Sequence, residues 1–80
     1  MSENYQATAA AIVEGLGGKP NIESLEACIT RLRVVLRDAS LVNEDTLKGA
    51  GAFGVVVVGP VVQVVVGPQA DALAGAVGQL

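Results

Sequence analysis

A single thiol stands just ahead of two arginines in the segment Glu26-Ala27-Cys28-Ile29-Thr30-Arg31-Leu32-Arg33. Cys28 is the only cysteine, histidine is absent, and three of the five basic residues (Arg31, Arg33 and Arg37) follow it within ten residues. Fixed positive charge near a thiol favours the thiolate, the form that attacks electrophiles. A guanidinium offers paired N–H donors that match the oxygens of a phosphoryl group. The chemistry open to this segment is the handling of an anionic group by a nucleophilic sulfur.

Placement decides whether these residues can cooperate. Arg31 and Arg33 are two apart, so on a strand both side chains leave one face, with stems about 7 Å apart. Cys28 falls in a short connection just before that strand. A bend over 28–30 brings the sulfur to the arginine face and aims backbone N–H groups of Ile29 and Thr30 at the same point, a nest that favours anions. Thr30 adds a hydroxyl donor. Glu26 enters in two ways: its carboxylate disfavours a neighbouring thiolate, or it pairs with Arg31 or Arg33 and orients it. From the residues alone, an inert packed cysteine stays open, because free cysteine is among the most buried residue types. Alternating arginines are equally the mark of a solvated strand face.

Other chemistries are poorly served. Without histidine there is no Ser-His-Asp or Cys-His machinery, and one cysteine without histidine makes no zinc site. The glycines at 49, 51 and 54 are not followed by Gly-Lys-Ser/Thr, and they close a helix rather than open one, so they form no phosphate loop. A net charge of −3, with Tyr5 and Phe53 the only aromatic residues, argues against nucleic acid, which selects basic surfaces and stacking platforms.

The elements that position this segment follow from periodicity. Tyr5, Ala9, Ile12, Val13 and Leu16 share a helical face, which predicts a helix over 3–16, stopped by Gly17-Gly18 and Pro20. Ile22 to Ala27 is a strand with poor alternation. In the strand from Arg31 to Asp38, Leu32, Val34 and Leu36 alternate with Arg31, Arg33, Val35 and Arg37. Asn43 caps a short helix, with Glu44 and Asp45 at its positive end and Val42 stapling onto Leu47. Val55–Val58 and Val61–Val66 form a hairpin about Gly59-Pro60. Four consecutive valines cannot share one face of a sheet, so either both faces of that strand are covered or some valines are exposed. Gly67-Pro68 opens a last helix with a stripe of Ala70, Leu73, Ala74 and Val77 and an end that frays at Gly75 and Gly78. The order α-β-β-α-β-β-α predicts an α+β fold: a four-stranded antiparallel sheet with three helices packed on one face.

Eighty residues make one domain, residues 1–80, and the hydrophobic content of 51% is ample for a modest core. No internal disulfide is possible with one cysteine, and Met1-Ser2-Glu3-Asn4-Tyr5 lacks the basic start of a signal peptide, so a cytoplasmic protein is expected. Val55 to Val66 is apolar but too short to span a bilayer.

Ala27-Cys28-Ile29-Thr30-Arg31-Leu32-Arg33 resembles the phosphorylation-site motif of the IIB domains of the bacterial sugar phosphotransferase system, in its glucose and N-acetylglucosamine branch. Asn21-Ile22, Leu47-Lys48, Gly51-Ala52-Phe53-Gly54-Val55-Val56 and Val62-Gln63-Val64 sit where that family has similar segments. The resemblance implies that Cys28 accepts a phosphoryl group from a phosphohistidine of enzyme IIA. Phospho-Cys28 then passes the group to a sugar, glucose or N-acetylglucosamine, bound by the membrane enzyme IIC. It also implies that Arg31 and Arg33 serve mainly the second transfer, and that the protein works without a metal or cofactor at the inner face of the membrane. In-line phosphoryl transfer needs positioning and charge stabilisation, which two arginines can supply. The chain departs from the family in having Glu26 where Asp is common, and in a stiffer turn at Gly59-Pro60. The start at Met1 favours a free-standing IIB over part of a larger chain. Two other readings use the same residues: a non-catalytic regulatory module that binds through the Arg31/Arg33 face, and a redox-sensing thiol.

Overall fold

The structure, a computed structural model, describes residues 5–80. Helix α1 spans Tyr5–Gly15, strands β1 and β2 span Ile22–Cys28 and Arg31–Leu36, and α2 spans Glu44–Gly49. Strands β3 and β4 cover Gly54–Val58 and Val61–Val65, and α3 covers Ala70–Gly78. Short 3-10 turns at Lys19–Asn21, Ala39–Leu41 and Gly67–Gln69 lie between them. The four strands form one antiparallel sheet in the order β1-β2-β4-β3, so the expected α+β architecture is present. Of the first helix expected over 3–16, residues 3 and 4 lie outside the described range.

One face of the sheet is covered and the other is open. Leu32, Val34 and Leu36 of β2 and Val62 and Val64 of β4 point inward and are buried with Ile12, Leu16, Leu47 and Leu73 from the helical layer. The period-2 alternation of β2 puts its polar partners on the opposite face. Helix α1 approaches α2 closely. A Cβ on Gly15 would meet Leu47 Cγ and Cδ2 at 2.7 Å, so no larger residue fits there without moving Leu47.

Strand β2 ends earlier than expected, and the poor alternation expected of β1 has a cause in its register. The alternation of β1 is poor because its register with β2 slips between Ile22 and Ser24. Strand β2 ends at Leu36 rather than Asp38. The Arg37 N–H turns away to Asn21 O at 2.9 Å, and Asp38 caps the next turn by accepting from Ser40 N at 3.0 Å. Hydrogen bonds from the Ser40 hydroxyl and N–H hold the Asp38 carboxyl below its ordinary pKa. Buried Asn21 joins these segments: its Nδ2 donates to Leu16 O at 2.8 Å and Asp38 O at 3.0 Å, and its Oδ1 accepts from Asp38 N at 2.9 Å. The C-terminal helix continues past Gly75 to Gly78, and Lys19 Nζ donates to Val77 O at 3.2 Å and Leu80 O at 3.0 Å at its end. A cation is favoured at that negative end of the helix.

The short helix is capped as expected, Asn43 Oδ1 accepting from Thr46 N at 3.0 Å. The valine hairpin resolves in favour of exposure. Strand β3 is a sheet edge, with Val56, Val57 and Val58 exposed by 50%, 41% and 68%.

Candidate functional site

Cys28 is the last residue of β1 and lies directly opposite Arg31, the first residue of β2. Ile29 and Thr30 make the whole turn between them. Opposed residues on adjacent antiparallel strands share a face, with Cβ atoms about 5 Å apart. The thiol is exposed, so the packed-cysteine alternative does not describe this fold. The register continues across the open face in rows. Cys28, Arg31, Val65 and Gly54 make the first row; Glu26, Arg33, Gln63 and Val56 the second; Ser24, Val35, Val61 and Val58 the third. The polar groups gather toward the β1–β2 side and the turn, and the valines fill the opposite corner.

The turn is unusual and firmly held. Ile29 has φ 53°, the only positive φ at a non-glycine residue among those described. A β-branched residue is rarely found in that region. Its side chain is 87% exposed, so core packing is not what keeps it there. The anchor lies one residue on. Thr30 O accepts from Val66 N at 3.0 Å and Gly67 N at 2.9 Å, tying the turn to the end of β4. Among the described residues the backbone N–H groups of Ile29 and Thr30 have no protein acceptor, which leaves two amide donors beside the thiol. Phe53, 77% exposed, precedes Gly54 and so lies at the same end of the sheet.

The arginines separate. Arg31 and Arg33 both stand on the open face, as their spacing predicts. Arg31 Nη1 donates to Gln63 Oε1 at 2.7 Å, whereas the Arg33 guanidinium makes no hydrogen bond or ion pair among the described residues. Glu26 lies directly across from Arg33, but the described residues contain no ion pair between them. Among the described residues the one ion pair joins Arg37 and Glu23 at 4.0 Å. Arg37 is not part of the cluster, because its Nε donates to Pro20 O at 2.9 Å. Gln63 was missed as a site residue by sequence reasoning. Its signal is present all the same, as the one polar residue interrupting the valines of β4.

A cleft of about 180 Å³ lies on the helical side, lined by Tyr5, Thr8, Ala50, Gly51, Val66, Gln69 and Leu73. It is small for a substrate pocket. No described helix is long and apolar enough to cross a membrane.

Known proteins resemble this chain in sequence and in fold. A family model described as phosphotransferase system, EIIB matches residues 10–43, which include Cys28 and both site arginines. The chain is 56% identical over 66 residues to the PTS system N-acetylglucosamine-specific EIIB component of Streptomyces coelicolor, covering 82% of this chain and 86% of that protein. In fold it resembles the crystal structure of one domain of the PTS system IIabc component from Clostridium difficile. That match has a TM-score of 0.71 at 24% identity and covers 96% of this chain and 79% of the other. On that identity and coverage the chain belongs to the EIIB family of the phosphotransferase system, whose members take part in sugar phosphotransfer together with the system's other components.

Proposed function

We propose that this protein is a phosphocarrier with Cys28 as the carrying residue. The Cys28 thiolate attacks the phosphorus of a phosphohistidine on enzyme IIA; an S–P bond forms, the N–P bond breaks, and the imidazole leaves. A sugar hydroxyl held by membrane enzyme IIC then attacks the same phosphorus. The O–P bond forms, the S–P bond breaks, the thiolate is regenerated, and the hydroxyl proton passes to a base on the IIC side. The observation that carries this reading is the exposed thiol opposite Arg31, at a two-residue turn whose amide donors are unclaimed.

Each neighbour then has a role. The N–H groups of Ile29 and Thr30 and the Thr30 hydroxyl hold phosphoryl oxygens. Arg31 and Arg33 offset the charge on the phosphoryl group as it leaves sulfur, the electrostatic assistance this transfer needs. Glu26, opposite Arg33, restrains that arginine or meets a partner. N-acetylglucosamine is the favoured sugar, since the Streptomyces coelicolor relative is specific for it, and glucose is the next. The protein works at the cytoplasmic face of the membrane through IIC.

Phosphoenolpyruvate, the general phosphotransferase proteins and the cognate IIA should add one phosphoryl group to the wild type by intact-protein mass spectrometry, and none to Cys28→Ser. An unmodified wild type in the presence of a proven donor would refute the carrier reading and leave a binding module on the Arg31/Arg33 face. Arg31→Lys and Arg33→Lys should load Cys28 yet transfer poorly to sugar, because lysine lacks the forked geometry. Normal sugar transfer by both variants would remove the arginines from the second step.

A further inference from the structure

We infer that Gln63 is a positioning residue, a neutral latch that holds Arg31 for the phosphoryl group on Cys28 without cancelling its charge; this rests on the carrier reading above. Gln63 lies on β4, directly across from Arg33 and diagonal to Arg31. Diagonal neighbours on one face are about 7 Å apart, within reach of long side chains. The contact is short, Arg31 Nη1 to Gln63 Oε1 at 2.7 Å, and a guanidinium only donates, so the amide oxygen must be the atom turned toward it.

The alternatives open to Arg31 explain what a latch provides. Its strand neighbour on the other side is β1, which carries Glu26 on the same open face. An arginine paired with that carboxylate would reach the phosphoryl group already neutralised. Held toward β4 by an amide, Arg31 keeps its full charge and four of its five N–H donors. A bond to a neutral acceptor is also weaker than one to an ionised one, so a phosphoryl dianion across the strand pair can draw the guanidinium over. Glutamine combines the reach and the oxygen with the absence of charge, on a strand otherwise made of valine.

Substitution at Gln63 tests this in the full chain. Gln63→Glu is nearly isosteric but turns the latch into an ion pair; Gln63→Leu removes the acceptor. All three proteins should melt alike and load Cys28 from phospho-IIA. Transfer from phospho-Cys28 to N-acetylglucosamine, with membranes carrying the cognate IIC, should fall several-fold in Gln63→Leu and roughly tenfold or more in Gln63→Glu. A purely structural role predicts the reverse order, because glutamate preserves shape and leucine does not. Nitrogen-15 spectra of the unmodified protein give a readout independent of activity: the Arg31 guanidinium should show restricted rotation in the wild type and free rotation in Gln63→Leu. Equal rates in all three proteins, or an Arg31 that rotates freely in the wild type, would overturn the latch. A wild type that never loads Cys28 would instead overturn the carrier reading, and with it the purpose of the latch.

Discussion

The two hairpins of this sheet turn in the same number of residues and bend the same way, yet they resolve the strain differently. The β1–β2 hairpin turns at Ile29-Thr30 and the β3–β4 hairpin at Gly59-Pro60, and the first turn residue has φ 53° in one and φ 58° in the other. A left-handed conformation costs a residue with a Cβ about 1–2 kcal/mol, and glycine nothing comparable. The valine hairpin places glycine there and avoids the cost. The cysteine hairpin accepts it at an exposed isoleucine, and the Thr30 carbonyl bonds to Val66 and Gly67 hold the turn in place. Strain that is over-determined by its surroundings and lies beside a reactive group is a common mark of a functional site.

The hairpins also divide their faces differently. In β2 the division is sharp, with buried Leu32 between exposed Arg31 and Arg33. In β3 it is blurred, because the strand lies at the sheet edge and its last three valines are exposed.

The largest expected effect tests the sharp division. Leu32→Ala removes a fully buried side chain from under the site and should cost about 2–5 kcal/mol in denaturant unfolding. Arg33→Ala, one residue on, should change stability by no more than about 0.5 kcal/mol while impairing sugar transfer. Equal stability losses would mean that the open face is structural.

An exchange of turn chemistry comes next. Gly59→Ile should destabilise by about 1–2 kcal/mol through the forced left-handed φ. Ile29→Gly relieves that strain but adds chain entropy to the unfolded state, so its stability should stay level or rise by up to about 1 kcal/mol. Phosphoryl loading of Cys28 should nevertheless slow, as the more pliant turn holds the thiol and amides less firmly. A marked loss of stability in Ile29→Gly would show that the isoleucine packs after all. The smallest effect is expected at Val58→Lys, on the far end of the edge strand. Stability should change by less than about 0.5 kcal/mol, and light scattering at high protein concentration should fall, because a charge blunts an open apolar edge.

Much of the site was legible before any fold was known. The spacing of Arg31 and Arg33 requires a shared face on any strand, and the hydrophobic alternation of Leu32, Val34 and Leu36 says which face is dry. The capping of α2 by Asn43 and the turn at Gly59-Pro60 are local and were read correctly. Sequence reasoning failed where long-range partners decide. Arg37 alternates with the other two arginines, but β2 ends before it and the side chain is drawn to Pro20 and Glu23. The end of the glycine-containing C-terminal helix meets the Lys19 ammonium, about sixty residues earlier in the chain, a contact that the helix's own sequence does not show.

The sequence by itself determined the residue types of the candidate site, their order around one turn and the side of the strand they occupy, because those follow from local geometry of period two. Only the tertiary structure decided which strand lies beside β2. Strand order places β4 there, and with it Gln63 against Arg31 and the Val66 and Gly67 amides against Thr30. These contacts span more than thirty residues of chain. Their formation depends on how the two hairpins pack as one sheet under the helices, which no local pattern encodes.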